Sequence, residues 1–299
     1  MRAVWSFWSK PFHAYKVSSW GHPLQHMLAW GLSLQTARTH YPETVLITDT
    51  PGKRFLIDQL GLSFTQVSTE LDRLKDVSMD WWAIGKLVAY SLQDRPFLHI
   101  DSDVFLWKPL PPHLEAAPVV AQAPEHFDAN LDRFSPSMVE QAFAAHNLSI
   151  PIEWEWARSR DPFHFREENC GILGGCDTAF LRYFANLAID FATNSKHEPA
   201  WNQLSRQNCA WLLEQFLLAA CVDYHRSHPT SPYRGVSIKY LFNHWDQATD
   251  PNYSARVGFT HLLGGSKGHP AVVKRLEARL RREDPAFYRR CEALARNST

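Results

Sequence analysis

The 299-residue chain has no surplus of either charge, with 31 Lys and Arg against 31 Asp and Glu. A protein that binds nucleic acid through its phosphates shows a basic excess, so no nucleic-acid partner is expected. Cysteine is sparse and odd in number: Cys170, Cys176, Cys209, Cys221 and Cys291, none of them in a CxxC pair. That pattern excludes a disulfide framework and a cysteine-bound zinc, and it suits a reducing compartment. Long hydrophobic runs are also missing. The greasiest segment, Phe216 to Val222, is far short of a membrane span, and Met1 to Lys10 holds no apolar core of signal-peptide length, so a cytoplasmic protein is expected. There is no internal repeat, low-complexity tract or domain linker. With 45% hydrophobic and 21% charged residues, the chain reads as one globular domain.

Against these absences stands one informative stretch. Residues 97–107 read FLHIDSDVFLW, an apolar run that ends on two aspartates spaced i, i+2. The run suits a buried strand. On extended backbone Asp101 and Asp103 would point the same way at its carboxyl end. In an open α/β sheet that edge is where ligands bind. Two carboxylates held together repel unless a cation sits between them, and a divalent metal ion is the usual answer.

Around this stretch, apolar runs and helical spacings alternate. Val4–Phe7, Val45–Thr48 and Phe64–Val67 read as strands, and Leu24–Ala37, Lys53–Leu60 and Ile84–Leu92 as helices. The alternation implies a mainly parallel sheet flanked by helices. From Pro109 to Pro124 five prolines mark a looser stretch, with Trp154 and Trp156 in a polar, loop-like region. Regular structure resumes at Asn169–Gly175, before a helix that Asp177 could cap; Asn208–Val222 is an apolar helix. The tail from Ala271 is helical, with Val272, Val273, Leu276 and Leu280 on one stripe.

A second cluster, GFTHLLGGSKGHP at 258–270, contains an HxxGxxK pattern in His261, Gly264 and Lys267. Glycines let backbone N–H groups approach a phosphate, the lysine adds positive charge, and the imidazole could complete a metal shell begun by carboxylates. Taken with the DxD, this pattern resembles the nucleotide-sugar glycosyltransferases of the GT-A fold, most closely their family 8. Four islands match in order: Lys86 on the preceding helix, Asp101 and Asp103, the N-x-G of Asn169-Cys170-Gly171, and His261, Gly264 and Lys267. The family's Asp-Gln-Asp segment has its nearest equivalent in Trp211-Leu212-Leu213-Glu214-Gln215.

The resemblance implies a GT-A, Rossmann-like domain over 1–299, with a nucleotide-sugar-binding half (1–110), an acceptor-side half (111–270) and a helical tail (271–299). It implies Mn²⁺, with Mg²⁺ as the alternative, on Asp101, Asp103 and His261, and a UDP-sugar as donor. Donor contacts would come from Trp5, Ser6, Phe7, Lys86, Asp101, Ser102, Asp103, Asn169, Gly264, Gly265 and Lys267. The catalytic set would be Asp101, Asp103, Lys267, Asn169, Glu214 and Gln215. Retention of anomeric configuration is implied; an inverting route would need a carboxylate base, for which Glu168 and Glu214 are the candidates. Trp154 and Trp156 could form an acceptor platform or fill the core.

Two rivals stand beside this reading. A phosphohydrolase with a DxD nucleophile would carry that motif near its start and a later acidic motif, neither of which fits. A non-catalytic nucleotide-sugar binder would keep the fold without turnover. The acceptor could be a glycan, a lipid-linked glycan or a peptide. From Lys274 to Arg296 eight Lys and Arg face four acids. This tail reads either as a helix docked on the core with a solvated basic face, or as a peripheral contact with an anionic membrane.

Overall fold

The computed structural model describes residues 1–14, 20–129 and 134–296. Its strands are β1 (Arg2–Phe7), β2 (Thr44–Thr48), β3 (Gln66–Ser68), β4 (Phe97–Ile100), β5 (Val104–Leu106), β6 (Val119–Asp128), β7 (His164–Gly175), β8 (Ile238–Tyr240) and β9 (Phe259–His261). The architecture is mixed α/β, a largely parallel sheet flanked by helices, as the alternation of periods implies. The chain divides into two compact units, with a boundary inside β4. Met1–Arg73, His99–Pro109 and Pro251–Thr299 form the first; Leu74–Leu98 and Leu110–Asp250 form the second.

In the first unit the strand order is β3-β2-β1-β4. Val4 lies beside Val45, and Val45 beside Gln66, in parallel register. The apolar run of β1 is buried on both faces, as a parallel strand covered by helices must be. Helix Pro23–Arg38 starts where the His22 side chain accepts from the Leu24 N–H and Pro23 sets the first turn. It is buried almost all round, because the carboxyl-terminal helices Pro270–Glu283 and Pro285–Arg296 pack against it. Gly31 is required there: a Cβ would lie 2.2 Å from the Phe287 ring. Gln35 donates to Asp284 at 3.0 Å, and Arg290 donates to the Leu60 carbonyl at 2.9 Å. Leu276, Leu280, Phe287 and Cys291 are buried. The apolar stripe of the tail is thus turned onto the protein, which favours the docked-helix reading over a membrane face. Among the described residues no helix is long and apolar enough to cross a membrane.

In the second unit the order is β4-β7-β6-β8, with β6 antiparallel to β7 and parallel to β8. Strand β6 corrects the expectation of a looser stretch after Pro109. It runs through Pro124, opposite Glu168, with a register shift between Ala121 and Ala123 that takes up the irregularity. Trp154 and Trp156 are likewise helical, in Ile152–Arg160, and not in a loop. Pro151 opens that helix, but the apolar residues in it are too few to show a clear stripe. Trp154 is fully buried, with Nε1 donating to Glu140 at 3.0 Å, so it fills the core and is no acceptor platform. Trp156 packs edge-on against Tyr224 and His228.

Candidate metal centre

The two aspartates converge by a different route from the one their spacing suggests. Strand β4 ends at Ile100, and Asp101 to Val104 close a tight turn in which the Val104 N–H bonds the Asp101 carbonyl at 3.0 Å. The same carbonyl accepts from Ser33 Oγ at 3.1 Å, and Ser33 accepts from Trp5 Nε1 at 3.0 Å. The carboxylates are therefore presented by a pinned turn, not by the pleat of a strand.

After the turn, β5 pairs antiparallel with β9, setting Val104 opposite His261 and Leu106 opposite Phe259. The Leu262 N–H bonds the Asp103 carbonyl at 3.1 Å, and the Trp107 N–H bonds the Gly258 carbonyl at 2.9 Å. This two-stranded ladder carries His261 to the DxD. One ligand atom each from Asp101, Asp103 and His261 lies within 4.8 Å of the others. His261 Nε2 is 3.6 Å from Asp103 Oδ1. The other Asp103 oxygen, Oδ2, accepts from Lys267 Nζ at 2.5 Å. One oxygen is thus held by the lysine while the other faces the imidazole. Lys267 leaves a short 3₁₀ turn, Gly264–Gly268, in which Gly264 has φ +46° and a Cβ on Gly264, Gly265 or Gly268 would meet only open space. The backbone of the turn is bare toward solvent.

Two carboxylate oxygens and an imidazole nitrogen fit a divalent ion that accepts mixed O and N ligands. Burial favours a neutral Asp103, but the charges of His261 and Lys267 and the lysine hydrogen bond outweigh it and hold this carboxyl below the usual range. Nearby, His26 is driven down to about 3, first by burial and then by the charge of Lys267, with Asp103 opposing. It stays neutral: Phe12 stacks on it with centroids 4.7 Å apart, and Trp30 Nε1 donates to its Nε2 at 3.2 Å.

Of the other expected donor residues in this unit, Trp5 is wholly buried and Phe7 nearly so, within an aromatic cluster with Phe12, Trp30 and Phe55. The Ser6 hydroxyl meets His99 Nε2 at 3.0 Å. Ser102 is half-buried in the turn. The carboxyl ends of β1 and β2 are tied by Asp49, which accepts from Ser9 N, Ser9 Oγ and Gly52 N at 3.1, 2.6 and 2.8 Å.

The second unit holds the remaining expected residues. Lys86 Nζ pairs with Glu214 at 2.7 Å and donates to the Cys170 carbonyl at 3.2 Å, while the Tyr90 hydroxyl donates to Glu214 at 2.8 Å. Glu214 is fully buried in a π-helical turn, Leu212–Phe216, a local widening often found at functional sites; Gln215 is half-buried beside it. Asn169 Nδ2 donates to Glu125 at 2.5 Å, and its Oδ1 accepts from the Gly171 N–H at 3.1 Å. Glu168, also fully buried, is bonded to Arg166 at 2.9 Å and to the Tyr240 hydroxyl at 3.0 Å. Burial raises its carboxyl above the ordinary range, against the pull of Arg166 and Tyr240. His99, Ser33, Glu125 and Tyr90 carried no readable signal in the sequence, because each acts through a partner distant in the chain.

Residues 1–294 match the model of a family of unknown function, DUF6734. No curated protein matches the chain. Among solved structures, the galactosyltransferase LgtC with donor and acceptor sugar analogues is similar over 93% of this chain and 94% of its own, at 13% identity and a TM-score of 0.43. An active-site mutant of LgtC is similar over 93% and 96%, at 12% identity and 0.39. Mouse xyloside xylosyltransferase 1, apo form, is similar over 87% and 96%, at 12% identity and 0.34. None of these likenesses is close enough to carry an inference.

Proposed function

The chain belongs to DUF6734, and we propose that it is a metal-dependent glycosyltransferase that moves a hexose from a UDP-sugar to an acceptor with retention of configuration. The observation that carries this reading is the meeting of Asp101, Asp103 and His261, with Lys267 against the far oxygen of Asp103. Asp101, Asp103 and His261 would hold the ion, and the imidazole among them favours Mn²⁺ over Mg²⁺. A bound divalent cation would supply Lewis acidity toward the donor diphosphate.

The protein's own groups do the rest. Lys267 carries a fixed positive charge on a side chain that is only 17% exposed, where a charge acts more strongly than in bulk water. Beside the exposed backbone of Gly264 and Gly265, it offers a donor to the oxygens of a leaving diphosphate. Asp103 orients the lysine through its Oδ2. The pinned turn at Asp101 to Val104 and the β5–β9 ladder fix these groups before any ligand arrives, which is what electrostatic stabilisation of a transition state requires.

The retaining route is favoured by the state of the two candidate bases. Glu168 and Glu214 are fully buried, each with one oxygen bonded within the protein and the other enclosed, so neither carboxylate is presented where an acceptor hydroxyl would arrive from solvent. The acceptor stays open among glycan, lipid-linked glycan and peptide.

Incubation with a panel of UDP-hexoses, with Mn²⁺ or with EDTA, tests the reading. A transferase releases UDP slowly by hydrolysis, and EDTA abolishes the release. Inorganic phosphate as first product would mean a phosphohydrolase. Mn²⁺-dependent thermal stabilisation by a UDP-hexose without release would mean a non-catalytic binder. The absence of any metal-dependent signal would contradict all three.

A further inference from the structure

Strand β4 is buried along its whole length, yet its third residue is His99, whose side chain is 1% exposed. A buried imidazole is costly unless its ring nitrogens find partners, and an apolar residue would fill such a strand without that demand. Both nitrogens face polar groups of the first unit. Nε2 lies 3.0 Å from Ser6 Oγ on β1, and Nδ1 lies 3.8 Å from Asp101 Oδ1.

We propose that His99 is a positioning residue for the metal centre, holding the Asp101 carboxylate in its ligating orientation through Nδ1 while Ser6 fixes the ring through Nε2. This inference rests on the metal-centre reading above. When the Ser6 hydroxyl donates to Nε2, a ring proton is held on Nδ1, the nitrogen facing Asp101. The 3.8 Å separation is longer than a hydrogen bond, but it closes when the carboxylate turns about its soft terminal torsion. Asp101 is then fixed twice, its carbonyl by Ser33 Oγ and its carboxylate by His99. Carboxylates that bind metal ions are held in this way by groups behind them, and losing such a partner weakens metal binding about 10–100-fold.

Calorimetric titration of the full chain with Mn²⁺ tests this, using three substitutions. His99→Asn keeps an N–H near the Nδ1 position, His99→Gln places one near Nε2, and His99→Leu offers neither. The expected result is a loss of Mn²⁺ affinity of about 10–100-fold in His99→Leu and His99→Gln, with His99→Asn recovering most of it. If His99→Leu fails to fold, as judged by metal-free melting, the contrast between His99→Asn and His99→Gln decides. Mn²⁺ binding by His99→Leu as tight as by the unaltered chain, or rescue by glutamine equal to that by asparagine, overturns the inference alone. No Mn²⁺ binding by the unaltered chain overturns the metal centre, and this inference with it.

Discussion

In the first unit, Asp101, Asp103, His261 and Lys267 meet on a turn and a glycine-rich loop that are still reached by solvent, with the Asp101 side chain 25% exposed. In the second, Lys86 and Tyr90 bond the fully buried Glu214, and Arg166 and Tyr240 bond the fully buried Glu168. Burial costs a charge several kcal/mol, so these two carboxylates persist only because each is bonded to a cation and a tyrosine hydroxyl. They hold side chains in place. The first cluster instead leaves one oxygen of Asp103 and the Asp101 carboxylate facing an imidazole across gaps of a size that suits a cation. The same residue types therefore serve two ends, and a three-ligand arrangement around a space for an ion is the difference between them.

Four experiments sharpen or break that contrast. Asp103→Asn should abolish Mn²⁺ binding and lower UDP release from a UDP-hexose by about 10³-fold. Full turnover by this variant in EDTA would remove the metal from the account. Glu214→Ala should cost about 3–5 kcal/mol of stability in urea denaturation, because the Lys86 ammonium would be left without its carboxylate. A loss within about 1 kcal/mol, the worth of an exposed pair, would show that the second unit's pair is not sealed.

Lys267→Ala should cost about 2–4 kcal/mol of transition-state stabilisation, read from kcat/KM for UDP release. A defect confined to acceptor affinity would move Lys267 out of the donor site. The smallest effect concerns His26. Its folded value of about 3 lies below the ordinary 6.5, so the unfolded chain binds the extra proton first as pH falls. This neutral histidine contributes its stability in full above pH 6.5 and loses it progressively from there down to about 3. At pH 5 the loss is about 2 kcal/mol. His26→Phe should flatten the stability profile over that window, whatever constant cost it adds. An unchanged slope would mean that His26 is already charged beside Lys267.

Much of this was legible in the sequence, for local reasons. The apolar runs of β1, β2 and β4 announce buried parallel strands because both faces are covered, and the DxD and HxxGxxK patterns each lie within a few residues. What joins the two patterns was not legible. The pairing of Val104 with His261 is long-range, and no periodicity encodes it. The turn at Asp101 depends on a Ser33 hydroxyl from a helix far upstream. Strand β6 was hidden by Pro118 before it and Pro124 within it, and the helix holding Trp154 by its many charged residues. His99 read as one more member of an apolar run, since its partners Ser6 and Asp101 are revealed only by the fold.

The central claim is that Asp101, Asp103 and His261 hold one divalent ion beside a nucleoside diphosphate. Its most direct test is anomalous scattering from crystals grown with Mn²⁺ and UDP. One manganese peak is expected, bounded by these three side chains, with the UDP phosphates between the ion and Lys267. A peak elsewhere, or UDP bound with no manganese at these residues, would contradict it.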